Sequence, residues 1–419
     1  METETETESD VCAAASGLLS TFVDAFVDFS VSGVFLPNPN PKPSPSPSPS
    51  PIPQHRFPSP FEGHRLVAIG DLHGDLPKAL QSLALSGLVD PSSGRWAGGS
   101  STLVQVGDVL DRGDRELCLL YSLEKLRREA AAAGGSVLTL NGNHEIMNVE
   151  GDFRFVTRGG LEEFKNWAYW YQVGISMKLL CKELKKDDTT RDIFYGIPES
   201  FPGVKEEFYE GFRARIAALR PDGPITTRFL SRNLTVLVHG ESVFVHGGLL
   251  GELVSTYGLE RMNEEVREWM MGKQVRNDDS KSRFLAPGFV RGRDSLVWLR
   301  KFSEENADKC DCSALEHALA TIPGAKRMIM GHTIQTSGIN EACGNKAIRI
   351  DVGMSKGCID GLPEVLEIIG DSKIRVLTSN PLYQDMGHRN YGKGEKKKKS
   401  GLGILLPGAE GPNQVEVRA

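Results

Sequence analysis

No stretch of this chain is apolar for long enough to cross a membrane. The most hydrophobic early segment, residues 11–36, is broken by Asp24 and Asp28, and a span needs about 18 uncharged apolar residues. Charge of neither sign dominates: 49 Lys and Arg face 55 Asp and Glu, for a net charge of −6. That excludes the basic footprint of a nucleic-acid binder. The clearest charge run, Lys396–Lys399, sits among glycines near the end and reads as a solvated tail. Seven cysteines, an odd and scattered set, do not make a disulfide framework. Reduced thiols in a reducing compartment are expected. Cys310 and Cys312 are the one close pair; two thiols fall short of a structural zinc site, so exposed loop thiols are expected. The first residues, METETETESD, are acidic, unlike a secretory or transit leader. What remains is ordinary globular composition, 39% hydrophobic and 25% charged over 419 residues, enough for one large core or two smaller ones.

The chain reads as four segments. Residues 1–36 form an N-terminal arm. Leu18, Leu19, Phe22, Phe26 and Phe29 fall near helical spacing and predict a short amphipathic helix, docked on the body or serving a partner. Asp24 and Asp28 argue against an anionic lipid surface. Residues 37–60 alternate proline with serine and asparagine. Proline fixes φ and removes amide donors, so an extended spacer is expected. Residues 61–380 form the body, and residues 381–419 a Lys/Gly-rich tail expected to be disordered.

Within the body, Arg65–Ile69, Ser101–Val106 and Ser136–Leu140 are strands, separated by helices over Pro77–Leu88 and Arg115–Ala133. The β-α-β-α-β order predicts an α/β fold, with a parallel or mixed sheet covered by helices. Residues 150–235 break this rhythm. Helical spacing around Leu161–Tyr171 and Lys205–Leu219 marks them as a helical insertion. Thr235–Val238, Ser242–Val245, Arg327–Met330, Ala347–Asp351 and Lys373–Thr378 are later strands.

Five short motifs follow apolar, β-branched runs: GDLHG at Gly70–Gly74, GDVLDRG at Gly107–Gly113, GNHE at Gly142–Glu145, HGG at His246–Gly248 and GH at Gly331–His332. Asp71 and His73 are two apart in extended chain and project to one side, so a carboxylate and an imidazole can grip one ion. Such oxygen and nitrogen donors suit manganese, iron or zinc. Asp108 can bridge two ions through its two oxygens. Arg112 presents a fork that matches a phosphate dianion. Asn143 offers a neutral oxygen. His144, beside it, is assigned as the acid that protonates the leaving oxygen, with Asp111 as the carboxylate that holds its tautomer. The remaining ligands are imidazoles. His246, ending SVFV before two glycines, is preferred to His239, and His332 follows RMIMG to complete the set. Arg300, after SLVWL, is the candidate second phosphate ligand, with Arg293 as its rival. His64, His317 and His388 lack such a context.

In this order the motifs resemble the phosphoprotein phosphatase family across Phe61–Ser379. HGG followed by SLVWLR, the long insertion and IDVGMS resemble its Shewanella-like branch, which has bacterial, fungal, protist and plant members. The resemblance implies a metallophosphoesterase-type central β-sandwich of mixed sheets, flanked by helices, with two divalent ions at the strand ends, manganese first. It implies Asp71, His73 and Asp108 around one ion, and Asp108, Asn143, His246 and His332 around the other. His144 with Asp111 forms the acid pair, and Arg112 binds phosphate. Arg300 is carried over without a full motif match. Where serine/threonine members carry SAPNYC, this chain reads IDVGMS, so the usual toxins and regulatory subunits are not expected. The acidic start points to the plant group without plastid targeting and to the cytoplasm, with the mitochondrial intermembrane space as the alternative.

The expected activity is hydrolysis of phosphoserine and phosphothreonine, and of phosphotyrosine as an extension, in protein substrates, with a regulatory partner met through the N-terminal arm. Nucleotide and dinucleoside polyphosphate hydrolases share GDxHG, GDxxDRG and GNHE and are the enzymatic alternative. A scaffold binding partners through the Pro-rich arm is the non-enzymatic one. An intact set of catalytic positions counts against it.

Overall fold

The structure, a computed structural model, describes residues 6–36, 54–58, 63–180, 192–273, 285–381 and 388–390. The first part of the chain runs α1 (Glu6–Ser32), β1 (Arg56–Phe57), β2 (Arg65–Ile69), α2 (Leu76–Leu85), β3 (Thr102–Gln105), α3 (Glu116–Ala132), β4 (Ser136–Thr139) and α4 (Asn143–Glu150). The insertion follows as α5 (Arg158–Leu179), α6 (Tyr209–Leu219) and α7 (Pro224–Arg228). Then come β5 (Val236–His239), β6 (Ser242–Val245), α8 (Gly251–Tyr257), α9 (Leu259–Met270), α10 (Cys312–Ala320), β7 (Arg327–Met330), β8 (Asn340–Ala342), β9 (Ala347–Arg349), β10 (Glu364–Ile369), β11 (Lys373–Thr378) and β12 (His388–Asn390).

Among the described residues, the strands build two six-stranded sheets, ordered β12-β11-β10-β2-β3-β4 and β1-β5-β6-β7-β9-β8. In the first, β2, β3 and β4 are parallel; in the second, β6, β7 and β9 are parallel. Parallel strands buried on both faces need continuous apolar runs, and Val67, Val104, Val137, Val243, Met328 and Ile348 join one core. Each such side chain contributes roughly 1.5–3 kcal/mol on burial. The consequence for the site is positional: the carboxyl ends of β2, β3, β6 and β7 open into the loops that hold the motif residues. A bridge between Leu140 and Leu234 joins the end of β4 to the approach to β5.

α1 is longer than the amphipathic spacing indicated. It packs on α5 and α3. Val23 and Val31 are buried, Val27 lies over Gly174, and Phe26 meets Trp170 edge-on at 5.6 Å. Asp28 takes both terminal nitrogens of Arg228, at 2.5 and 2.7 Å, and Lys178 reaches Asp24 at 2.6 Å.

Three expectations are corrected. Arg56–Phe57, inside the expected spacer, is a strand parallel to β5: the carbonyls of His55, just before it, and of Phe57 accept the amides of Val238 and Gly240. His388–Asn390, inside the expected disordered tail, pairs with β11. Cys312 is bonded to Cys343, 31 residues on, and not set beside Cys310 as an exposed thiol. Cys310 is buried, its thiol directed at the carbonyl of Phe302 at 3.4 Å. The rest of the Pro/Ser spacer, residues 37–53 and 59–60, and the tail from 391, with Lys396–Lys399, lie outside the described residues. Among the described residues, no helix is long and apolar enough to cross a membrane.

Candidate active site

Each motif begins where a parallel strand stops. At these turns His73, Asp108, Asp111, Arg112 and His332 all take left-handed backbone, with φ between 45° and 66°. Non-glycine residues rarely adopt it, and such strain gathers where side chains must be aimed. Glu145 stabilises the most distorted loop. Its carboxylate accepts the amides of Asp108, Val109, Leu110 and Gly142, at 2.7–3.0 Å. Two glycines are dictated by close approach: a Cβ on Gly142 would lie 2.1 Å from Asp108 Oδ1, and one on Gly331 would lie 2.3 Å from Asp71 Oδ1.

The structure brings together every residue that the motifs nominated. Asp108 is the hub. Its Oδ2 lies 3.2 Å from His246 Nε2 and 3.8 Å from Nε2 of both His73 and His144. Asn143 Oδ1 is 3.0 Å from His246 Nε2. The amide of His332 points at Asp71, and the rings of His332 and His246 are 5.1 Å apart. Asp71, His73, Asp108, Asn143, His246 and His332 are all buried.

Tautomers follow from the backbone. His73 Nδ1 lies 3.0 Å from the carbonyl of Leu110, and His246 Nδ1 lies 3.0 Å from that of Val106. A carbonyl can only accept, so each ring carries a hydrogen on Nδ1, and Nε2 is the nitrogen turned toward Asp108. His239, the rejected alternative, is buried at the other end of the sandwich between the rings of Phe57 and His64. Arg293 is exposed and is not among the residues that line the cleft, whereas Arg300 lines it with Arg112.

The crowding of carboxylates calls for positive charge. Burial and then Asp351 drive Asp71 well above the usual carboxylate range, and burial raises Asp351 to about 6. Burial opposes charge on His246, yet Asp108 and Asp71 push it up to about 10. Burial and then the neighbouring His144 lower His73 to about 3. His332 Nε2 is buried with no hydrogen-bond partner. Ligand atoms of His73, Asp108 and His144, and of Asp108, His246 and His332, converge as two groups, each within 4.8 Å. Imidazole lone pairs, a neutral amide oxygen and shared carboxylates fit two divalent cations.

Beside the cluster, His144 Nδ1 meets Asp111 Oδ2 at 2.6 Å. Burial works against a charged His144, but Asp108 and the Asp111 bond raise its pKa. Arg112 lies 4.7 Å above the Phe155 ring with its Nε buried and unpaired, and Arg300 Nη1 is held by Thr333 at 3.1 Å. Together with Trp298 they bound a cleft of about 510 Å³. Glu145, Asn148, Glu116, Arg215 and Asp351 join the site without a role that the motifs indicate. Glu145 and Asp351 sat within or beside quoted motifs, whereas Arg215 had no local signal.

Strand-end loops and this donor set define a metallophosphoesterase. The family described as calcineurin-like phosphoesterase matches residues 64–335. The chain is 59% identical to Shewanella-like protein phosphatase 2 of Arabidopsis thaliana, over 99% of both chains. It is 28% identical to Shewanella-like protein phosphatase 1 of Plasmodium berghei, over 70% of this chain and 67% of that one. Among solved structures, a cold-active protein tyrosine phosphatase from a psychrophilic Shewanella shares the fold, with a TM-score of 0.53 at 20% identity over 78% of this chain and 80% of that one. The chain belongs to the Shewanella-like protein phosphatases, metal-dependent enzymes of the calcineurin-like phosphoesterase fold, a fold built around a dinuclear metal site.

Proposed function

We propose that the cluster is a two-cation centre for hydrolysing phosphoserine and phosphothreonine, and also phosphotyrosine, in protein substrates. Asp71, His73 and Asp108 hold one ion; Asp108, Asn143, His246 and His332 hold the other, with manganese the first choice and iron or zinc the alternatives. The observation that carries this reading is the convergence of three imidazole nitrogens on Asp108 Oδ2, within 3.2–3.8 Å. Such ions, when bound, neutralise phosphate charge and make water a nucleophile at neutral pH.

The chain's own residues do the rest. Arg112 and Arg300 clamp the phosphate oxygens from one wall of the cleft. His144 gives its Nε2 proton to the leaving oxygen, and Asp111, on the opposite ring nitrogen, keeps the imidazole in that orientation. His144 Nε2 also lies near Asp108, but its short bond to Asp111 favours the acid role over a ligand role.

The proposal extends to setting. One face of α1 is occupied by α5, and its exposed Phe22 and Phe29 are what the arm leaves for a regulatory partner. A reducing cytoplasm opposes a disulfide such as Cys312–Cys343, so of the two compartments the intermembrane space is favoured. Turnover of matched phosphopeptides against a diadenosine polyphosphate, with chelator and then manganese, tests the function. Phosphopeptide turnover that chelation abolishes and manganese restores is expected. Preference for the dinucleotide would replace this reading with the nucleotide hydrolase.

A further inference from the structure

Behind the acid pair lies a buried arginine that belongs to the helical insertion. Arg215, on α6, is 104 residues beyond Asp111 and fully buried. Its Nη2 donates to Asp111 Oδ1 and to Glu116 Oε1, both at 2.9 Å, its Nη1 donates to Glu116 Oε2, and its Nε donates to Asn148 Oδ1 at 2.8 Å. Asn148 closes the ring, donating to Asp111 Oδ2 and to the carbonyl of His144, both at 2.9 Å. Glu116 also accepts the amide of Asp111. The rings of Phe153 and Phe164 lie 5.5 and 4.6 Å from the guanidinium.

This arrangement is costly as mere packing. A guanidinium buried among aromatic rings is stabilised only through its partners, and an apolar side chain of similar size would hold two helices at least as well. The planar fork does something an apolar residue cannot: it binds two carboxylates and an amide in one fixed geometry. One carboxylate is Asp111, whose other oxygen faces His144. Asp111 therefore has no freedom to rotate, and neither has the imidazole that it orients.

We propose that Arg215 is a positioning residue for proton transfer, so that the helical insertion is part of the catalytic apparatus and not a decoration on it. The inference rests on the reading of His144 as the acid. In the reaction, water oxygen forms a bond to phosphorus and loses its proton to solvent. The bond to the leaving oxygen breaks, and that oxygen keeps the electron pair and takes the proton from His144 Nε2. An alkoxide leaving from phosphoserine needs that proton. A p-nitrophenolate is stable enough to leave without it.

The test measures kcat and KM on a phosphoserine peptide and on p-nitrophenyl phosphate, with thermal melts and bound metal recorded for each variant. Arg215→Met should lose about 10–100-fold in kcat on the peptide, less than the ~10²–10⁴-fold that the positioned acid itself contributes. Its KM should stay within about 3-fold, and its kcat on the aryl ester should fall several-fold at most, because only acid positioning is disturbed. Arg215→Lys should recover part of the peptide loss. If Arg215→Met does not fold, the double variant Arg215→Met/Glu116→Gln removes a buried negative charge with the positive one and should show the same ester-selective loss. Equal losses on both esters, no loss, or failure of all three variants to fold would make Arg215 a scaffold residue and overturn the proposal. His144→Gln separates the two levels. If it too loses both esters equally, the acid assignment itself fails; if it is ester-selective while the Arg215 variants are not, only the role of Arg215 fails.

Discussion

Two pairs of histidines occupy opposite ends of the same sandwich. His246 and His332 follow β6 and β7, with rings 5.1 Å apart; His64 and His239 lie before β2 and at the end of the antiparallel β5, with rings 5.7 Å apart. His239 and His246 are both buried. Their chemistry diverges because of what faces them. Around His246 stand Asp71 and Asp108, and its pKa rises to about 10 against the penalty of burial. Around His239 stand Phe57 and His64, and burial, then His64, lower it to about 4. Burial alone makes a histidine a neutral packing group; burial among carboxylates, with Nδ1 tied to a carbonyl, makes it a group whose Nε2 faces a site that favours positive charge.

The comparison breaks most readily at its strongest point. His246→Ala should lose bound cation and bring turnover to background, while His239→Ala keeps both; metal analysis beside phosphopeptide turnover reads the difference. Equal losses in the two variants would show that the ends do not differ in kind. Next in size, His144→Gln should keep its metal and lose ~10²–10⁴-fold in kcat, the range for a positioned acid. Loss of metal in that variant would move His144 into the ligand set. Arg112→Ala should follow with a fall of about 10–100-fold in kcat/KM, since a bidentate charge contact acts on both bound substrate and transition state. An unchanged kcat/KM would place Arg112 outside the phosphate site.

The smaller effects concern stability. Glu145→Gln turns an acceptor of four amides into a group with only one acceptor oxygen, and should cost about 1–3 kcal/mol in urea unfolding. At the far end, His239 has a folded pKa of about 4, below its unfolded value. The unfolded chain therefore takes up the proton first as pH falls. The stability tied to neutral His239 is intact above about pH 6.5 and is lost as pH drops toward 4, by roughly 3 kcal/mol. His239→Phe should flatten the stability profile across that window and leave turnover near the wild-type level. A profile as steep as before would assign the slope to other groups.

How much of this could be read beforehand depended on how local the cause was. Asp71, His73, Asp108, Asn143, His144, His246 and His332 stand at strand ends, where an apolar run followed by glycine marks the place, so the chain itself announces them. β10 lay hidden in EVLEII, whose pairing between β2 and β11 is set only by the chain's return. Arg56–Phe57 looked like more of the proline spacer until β5 supplied its partner. Cys312 found Cys343 through the turn between β8 and β9, not through its neighbour Cys310. Arg215 was the least legible, because an arginine in a charged helix has no signature until the fold sets it against Asp111 and Glu116.

The central claim is that the strand ends form a two-cation phosphatase centre. The most direct measurement removes metal exhaustively from the full chain, then adds manganese in steps while bound metal and phosphopeptide turnover are followed together. The account predicts no turnover in the stripped protein, and activity that returns as occupancy approaches two ions per chain. Full turnover in protein shown to be free of metal, or saturation of activity with no bound ion, would contradict it.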